Sequence, residues 1–139
     1  MEITIRNLQK KIPIHPLRIK KSILKALKKE GVSKGEITVS FVNDKAISRL
    51  NSRYLKENKP TDVLSFDLAA NSKEKIIVGD IIVSADTARS NSRIYKTSLN
   101  YELNLYALHG CLHLLGYDDN NPENRKIMRK KESLYVVNP

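Results

Sequence analysis

A single cysteine, Cys111, among 139 residues excludes an intramolecular disulfide framework and fits a reducing compartment such as the cytoplasm. No apolar run approaches the ~20 residues that a membrane helix requires, and the polar opening MEITIRNLQKK is unlike a secretory signal. Tryptophan is absent and phenylalanine occurs twice, so six tyrosines carry most of the aromatic surface. Negative charge is scarce as well: 15 acidic residues face 25 basic ones, a formal charge of +10. That excess raises the expectation of an anionic partner without choosing among nucleic acid, lipid and other polyanions. There is no internal repeat, low-complexity stretch or long linker, and 40% of the residues are hydrophobic. Residues 1–139 therefore read as one domain with a core of its own.

Strands and helices alternate along the chain. EITIRNL sets Ile3 and Ile5 on one strand face, EITVSFVN alternates likewise, and DVLSFDL reads as a third strand. IIVGDIIVS, apolar almost throughout, predicts a fourth strand buried on both faces. PLRIKKSILKALKKEG carries Ile19, Ile23, Leu24 and Leu27 at helical spacing and stops at Gly31. Asp44 is the expected cap of a helix bearing Ile47, Leu50 and Tyr54, and the segments LKENKPT and Lys73–Lys75 read as polar connections. Two helices are expected over about Ala85–Tyr95 and Leu99–Leu115, and Asn121-Pro122 is a cap and first-turn pair for a last helix running to about Tyr135. The expected class is α+β: a small mixed sheet of about four strands packed with about five helices.

Two of the three histidines, His109 and His113, lie four residues apart on the long predicted helix. That spacing puts both imidazoles on one face, within reach of one divalent ion. Gly116 follows three residues later and suits the positive φ that ends a helix, and Asp119 follows three after that. The turn brings Tyr117-Asp118-Asp119 back toward the histidine face. The spacing H-x-x-x-H-x-x-G-x-x-D matches the metzincin protease motif H-E-x-x-H-x-x-G-x-x-H, a zincin-like metal helix. Two differences count. Gly110 replaces the glutamate that serves there as general base, which removes most of the support for a peptidase. Asp119 replaces the third histidine; a carboxylate is an acceptable zinc ligand, and it also admits harder ions such as manganese. The plain alternative, two core histidines on a helix that happens to end at glycine, is disfavoured by the third ligand. His15, between Ile14 and Pro16, has no such partners, and Cys111 lies about 200° around the helix from His109, as a small buried hydrophobe would.

With HGCLHLLGYDD at His109–Asp119, GDIIVS at Gly79–Ser84 and LNSRYLKENKPTDVLSF at Leu50–Phe66, the chain resembles the YbeY family of bacterial endoribonucleases. The resemblance implies a single-strand-specific, metal-dependent endoribonuclease. It further implies a place in small-subunit (16S) rRNA 3′-end maturation and ribosome quality control, with the ribosome as partner. It implies one Zn²⁺ per chain, held at the positions of His109, His113 and Asp119, where the family usually has histidine at the third place. The family commonly places an arginine directly after the tyrosine of its first block; here that position is Leu55, flanked by Arg53 and Lys56.

Arg53, Lys56 and Lys59 are the candidate RNA contacts. Glu102, seven residues before His109, is a candidate general base, supporting carboxylate or plain surface residue. Asp62 and Asp80, beside predicted strands, read as turn or backbone-bonding residues. Nine of the 25 cationic residues lie between Lys10 and Lys34 and five between Arg125 and Lys131, with Lys21, Lys25 and Lys28 forming one stripe. With few aromatic platforms, RNA would be held chiefly through its phosphates. A metallopeptidase-like or other zinc hydrolase, and a non-catalytic ribosome-binding factor with a structural metal, are the competing readings. Oligomeric state is not legible.

Overall fold

The computed structural model describes residues 1–55, 62–69 and 75–137, side chains of 54 and 55 excepted. Of the loop expected over LKENKPT, Leu55 instead closes a helix, and 56–61, with Lys56 and Lys59, lie outside the described residues, as do 70–74. The described elements run β1 (Glu2–Asn7), α1 (Pro16–Lys29), β2 (Lys34–Val42), α2 (Asp44–Leu55), β3 (Val63–Asp67), β4 (Ile76–Ser84), α3 (Ala85–Ile94), α4 (Leu99–Leu114) and α5 (Pro122–Tyr135). The sheet order is β1-β2-β4-β3; β1, β2 and β4 are parallel, and β3 runs antiparallel along the β4 edge. This is the α+β arrangement of four mixed strands and five helices expected from the sequence. No helix among the described residues is long and apolar enough to cross a membrane.

One sheet face meets α1, α3 and α4. Ile19, Ile23 and Leu27 from α1 join Ile37, Val39, Phe41, Ile77, Ile81 and Val83 from the strands in the main core. The opposite face is covered locally by α2, through Ile47, Leu50, Leu64, Phe66 and Ile82. Strand β4 therefore departs from expectation: its residues alternate between buried and half-buried, and only one face is sealed. Its second apolar row is matched to a short helix instead of a full layer. Asp80 sits in the middle of this strand, opposite Thr38 and Phe66, and not in a turn.

The cap of α2 also differs. Asn43 accepts from the Ala46 amide at 2.9 Å, the N-cap bond assigned above to Asp44. Asp44 ties two helix starts together: it accepts from the Ser84 and Thr87 hydroxyls, at 2.5 and 2.8 Å. At α5 the expected pair holds, with the Asn121 side chain accepting from the Asn124 amide at 2.8 Å and Pro122 in the first turn.

Helix α4 is enclosed on most of its circumference. Leu108 and Leu112 pack with Ala26, Met128 and Tyr135 from α1 and α5, and each fully buried leucine contributes about 1.5–3 kcal/mol. Against the sheet the approach is close at Gly110, where a Cβ would lie 2.5 Å from Ile81 Cγ2 and 3.0 Å from Ser65 Oγ. The Ser65 hydroxyl donates to the Gly110 carbonyl at 2.9 Å, fixing the helix on β3. Both α1 and α4 end in Schellman turns. Gly31 (φ 75°) and Gly116 (φ 102°) occupy the left-handed positions, and Tyr117 N–H donates to the Leu112 carbonyl at 3.0 Å.

The two helix ends meet at Glu30, which caps α1. Its carboxylate accepts from the hydroxyls of Tyr117 and Tyr135, and from Lys131 Nζ at 3.1 Å. Burial alone would raise the Glu30 pKa, but bonds from Tyr117, Tyr135 and Lys131 together hold it below the ordinary value.

Two predictions follow from this packing. Gly110→Ala should destabilise the chain by about 1–3 kcal/mol, overpacking outweighing the ~1 kcal/mol that alanine gains in helix propensity; a shifted urea midpoint at constant slope measures it. A carboxylate with a depressed folded pKa stabilises above its unfolded value and loses that contribution as pH falls through the folded one. Wild type should therefore exceed Glu30→Gln in stability at neutral pH, and the gap should close as pH drops below the ordinary glutamate value of 4.5.

Candidate metal centre

Helix geometry puts His109 and His113 on the same side of α4, between the Gly110 face that meets the sheet and the helix's outer surface. Their Nε2 atoms are 3.0 Å apart. The turn at Gly116 returns the chain so that Asp119 Oδ2 lies 3.4 Å from His109 Nε2 and Oδ1 lies 3.8 Å from His113 Nε2. Nothing lies within 4 Å of a Cβ built on Gly116, so its positive φ, not crowding, calls for glycine there. These are the three residues singled out from the sequence, and one donor atom from each falls within a 4.8 Å cluster.

The donor spacing fits a small divalent ion. Zinc bound at about 2.0–2.1 Å in a tetrahedron separates its ligand atoms by about 3.3 Å; here the two Nε2 atoms are 3.0 Å apart, and Asp119 offers Oδ2 at 3.4 Å to His109 and Oδ1 at 3.8 Å to His113. Two imidazoles and one carboxylate are a familiar catalytic zinc set that leaves a fourth position open. Side-chain exposure rises from 19% at His109 to 27% at His113 and 47% at Asp119, so the open side is the Asp119 side.

The histidines are held unequally. Glu132, on α5, accepts from His109 Nδ1 at 3.2 Å, which leaves the Nε2 lone pair aimed into the cluster. Burial by itself lowers the His109 pKa, but the bond and charge of Glu132, with the charges of Asp62 and Asp119, raise it overall. His113 has no carboxylate so close among the described residues: Asp118 Oδ1 stands 3.9 Å from its Nδ1, and its ring bonds the Tyr117 backbone. Burial and the neighbouring His109 lower the His113 pKa, more than Asp119 and Asp118 restore it. The two shifts therefore run in opposite directions within the pair.

Glu132 escapes sequence reading, since it lies 23 residues beyond His109 at the end of a basic run. The only available signal is general: a ligating histidine needs an acceptor for its second nitrogen. Glu102 is not a surface carboxylate. It is 4% exposed and accepts from the Thr97 hydroxyl at 2.8 Å, about 10 Å along α4 from His109. Asp62 acts on the site through its charge on His109, and its carbonyl accepts from the Ser84 amide at 2.9 Å. His15 stands at the start of α1, away from the cluster. Cys111 is fully buried, its thiol pushed up to about 12 by burial. Position 110, where the proteases carry glutamate, is filled by the sheet.

The basic runs divide by role. Arg125 Nη1 donates to the Asp119 carbonyl at 3.3 Å and Lys131 is engaged by Glu30, so part of the C-terminal run braces the fold. Arg53 is exposed on the outer side of α2, where Lys45, Ser48, Arg49 and Ser52 line a shallow groove with it. Lys21, Lys25 and Lys28 are exposed along α1.

Comparison with known proteins adds an independent line. Residues 4–138 match the family model described as Endoribonuclease YbeY. The chain is 39% identical over 137 residues to a protein of that name from Syntrophus aciditrophicus, covering 95% of this chain and 86% of the relative. It is 38% identical over 141 residues to another from Pelotomaculum thermopropionicum, covering 95% and 93%. Among solved structures, the solution structure of TM1509 from Thermotoga maritima superposes with a TM-score of 0.68 at 30% identity, covering 96% of this chain and 86% of that one.

Replacing Glu132 with glutamine removes the charge that orients His109. Zn²⁺ affinity at neutral pH should then fall by about 10–100-fold, measured by competition with a chromophoric chelator. Because Glu132 raises the His109 pKa, protons should also compete with zinc up to a higher pH in wild type than in the variant.

Proposed function

The chain belongs to the YbeY endoribonuclease family, and on that basis we propose that it is a metal-dependent endoribonuclease cutting single-stranded RNA at His109, His113 and Asp119. The proposal includes one Zn²⁺ per chain, other divalent ions being able to substitute, and one catalytic domain over residues 1–139. It places the protein in the cytoplasm, in small-subunit (16S) rRNA 3′-end maturation and ribosome quality control, with rRNA and the ribosome as partners. The observation that carries the reading is the convergence of one donor atom from each of three residues within 4.8 Å in a chain whose curated relatives bear an endoribonuclease name.

An RNA phosphodiester repels nucleophiles by its negative charge. The chemistry such an ion supplies is Lewis-acid activation of water and of a phosphoryl oxygen. The remaining tasks fall to the chain. Glu132 holds His109 in the tautomer that presents Nε2, and the Gly116 turn presents Asp119. The half-exposed Asp119 side admits a phosphate from solvent, while α4 and the sheet close the other. The exposed cations Lys45, Arg49 and Arg53 offset phosphate charge along the approaching strand, with Lys56 and Lys59 continuing that segment in sequence.

Incubation of the zinc-loaded protein with single-stranded RNA, double-stranded RNA and a casein-like peptide tests the class. Cleavage of the first substrate alone is expected, abolished by a chelator and lowered about 100-fold or more by His113→Ala. Peptide cleavage, or full RNase activity and metal content in His113→Ala, would refute the reading. Electrostatic holding has its own test in salt titrations of single-stranded RNA binding. Log affinity should fall linearly with log salt, and Arg49→Ala and Arg53→Ala should each flatten the slope by about 0.7.

A further inference from the structure

We infer that Glu30 is a positioning residue for the metal centre, acting on Asp119 through the Tyr117 hydroxyl. The inference rests on the metal site proposed above. Of the three ligands, Asp119 has the least local support. It lies beyond the end of α4 and is 47% exposed, and its backbone carbonyl accepts from Arg125 at 3.3 Å. His109 and His113, by contrast, are fixed by the helix itself, and His109 is further held by Glu132.

The segment that presents Asp119 starts at Gly116, is tied back to α4 by its own backbone bonds, and is tied to α1 by one side chain. Tyr117, the first residue after the left-handed glycine, donates its hydroxyl to Glu30 Oε1. The other carboxylate oxygen accepts from Tyr135, at 2.5 Å, and from Lys131, at 3.1 Å. Lys131 Nζ also lies over both tyrosine rings, 5.5 and 5.7 Å from their centroids. Glu30 thus joins three pieces of chain: the capped end of α1, the turn carrying Asp119 and the last turns of α5. On α5 the neighbour of Lys131 is Glu132, which orients His109. One carboxylate therefore couples the support of the third ligand to the helix that supports the first.

Fixing Tyr117 limits the conformations open to the two residues that follow, so less entropy is lost when Asp119 closes on an ion. A structural tie between α1 and α5 alone would stabilise the fold without that effect. The two tyrosines separate these roles, because both donate to Glu30 but only Tyr117 leads to Asp119.

The test compares Tyr117→Phe and Tyr135→Phe in the full chain, each losing one hydroxyl, with Glu30→Gln as a third variant. Zn²⁺ affinity is measured by chelator competition, and the visible spectrum of the Co²⁺-substituted protein reports ligand number. Thermal unfolding of the metal-free chain reports stability. Tyr117→Phe should bind zinc about tenfold more weakly and change the cobalt spectrum, whereas Tyr135→Phe should retain wild-type affinity and spectrum at a comparable loss of stability. Glu30→Gln should follow Tyr117→Phe in both metal readouts. Equal zinc affinities and identical cobalt spectra in the two tyrosine variants would overturn the inference. Failure of wild type itself to take up zinc would sink the metal centre, and this inference with it.

Discussion

At Gly110 the backbone of α4 lies against the Ile81 side chain and the Ser65 hydroxyl with no space for a methyl group. That contact sets both the distance of the helix from the sheet and its rotation about its own axis. With residue 110 facing the strands, helical periodicity turns His109 and His113 toward the gap between α4 and α5. Leu108 and Leu112 face Ala26, Met128 and Tyr135, so the same rotation packs α1 and α5. A side chain at 110 would lift the helix and disturb every one of these contacts. The residue missing from the protease motif is thus missing for a packing reason, and the architecture itself excludes a glutamate base at that position.

Positive charge serves two purposes in this molecule. Lys131 and Arg125 are engaged in holding the turn and helix that build the candidate metal centre. Lys21, Lys25, Lys28, Lys45 and Arg49 remain exposed, on α1 and α2. The formal charge of +10 already nets cations against carboxylates, so these contacts leave its size unchanged and decide only where the excess is displayed. The two clusters visible along the chain are not equivalent once folded.

The elements that were legible are those governed by local rules. The Pro16 and Pro122 starts, the Gly31 and Gly116 stops and the Asn121 cap occur where residue chemistry places them. Asp44 was misjudged because its neighbour Asn43 is an equally good cap, and only the packing of α2 on α3 directs the aspartate to Ser84 and Thr87. Strand β4 was misjudged because an apolar row looks the same whether a full layer or one short helix covers it.

The candidate metal ligands were legible in the sequence alone. Spacing of four residues on a helix and a glycine able to take positive φ are short-range properties, and they bring His109, His113 and Asp119 together in almost any compact fold. What orients those ligands was decided only by tertiary structure. Glu132 reaches His109 from another helix, and Glu30 reaches Tyr117 across 87 residues. Such contacts depend on which helix faces meet, and that is settled by the close approach of α4 to the sheet and the packing of α1 and α5 around it.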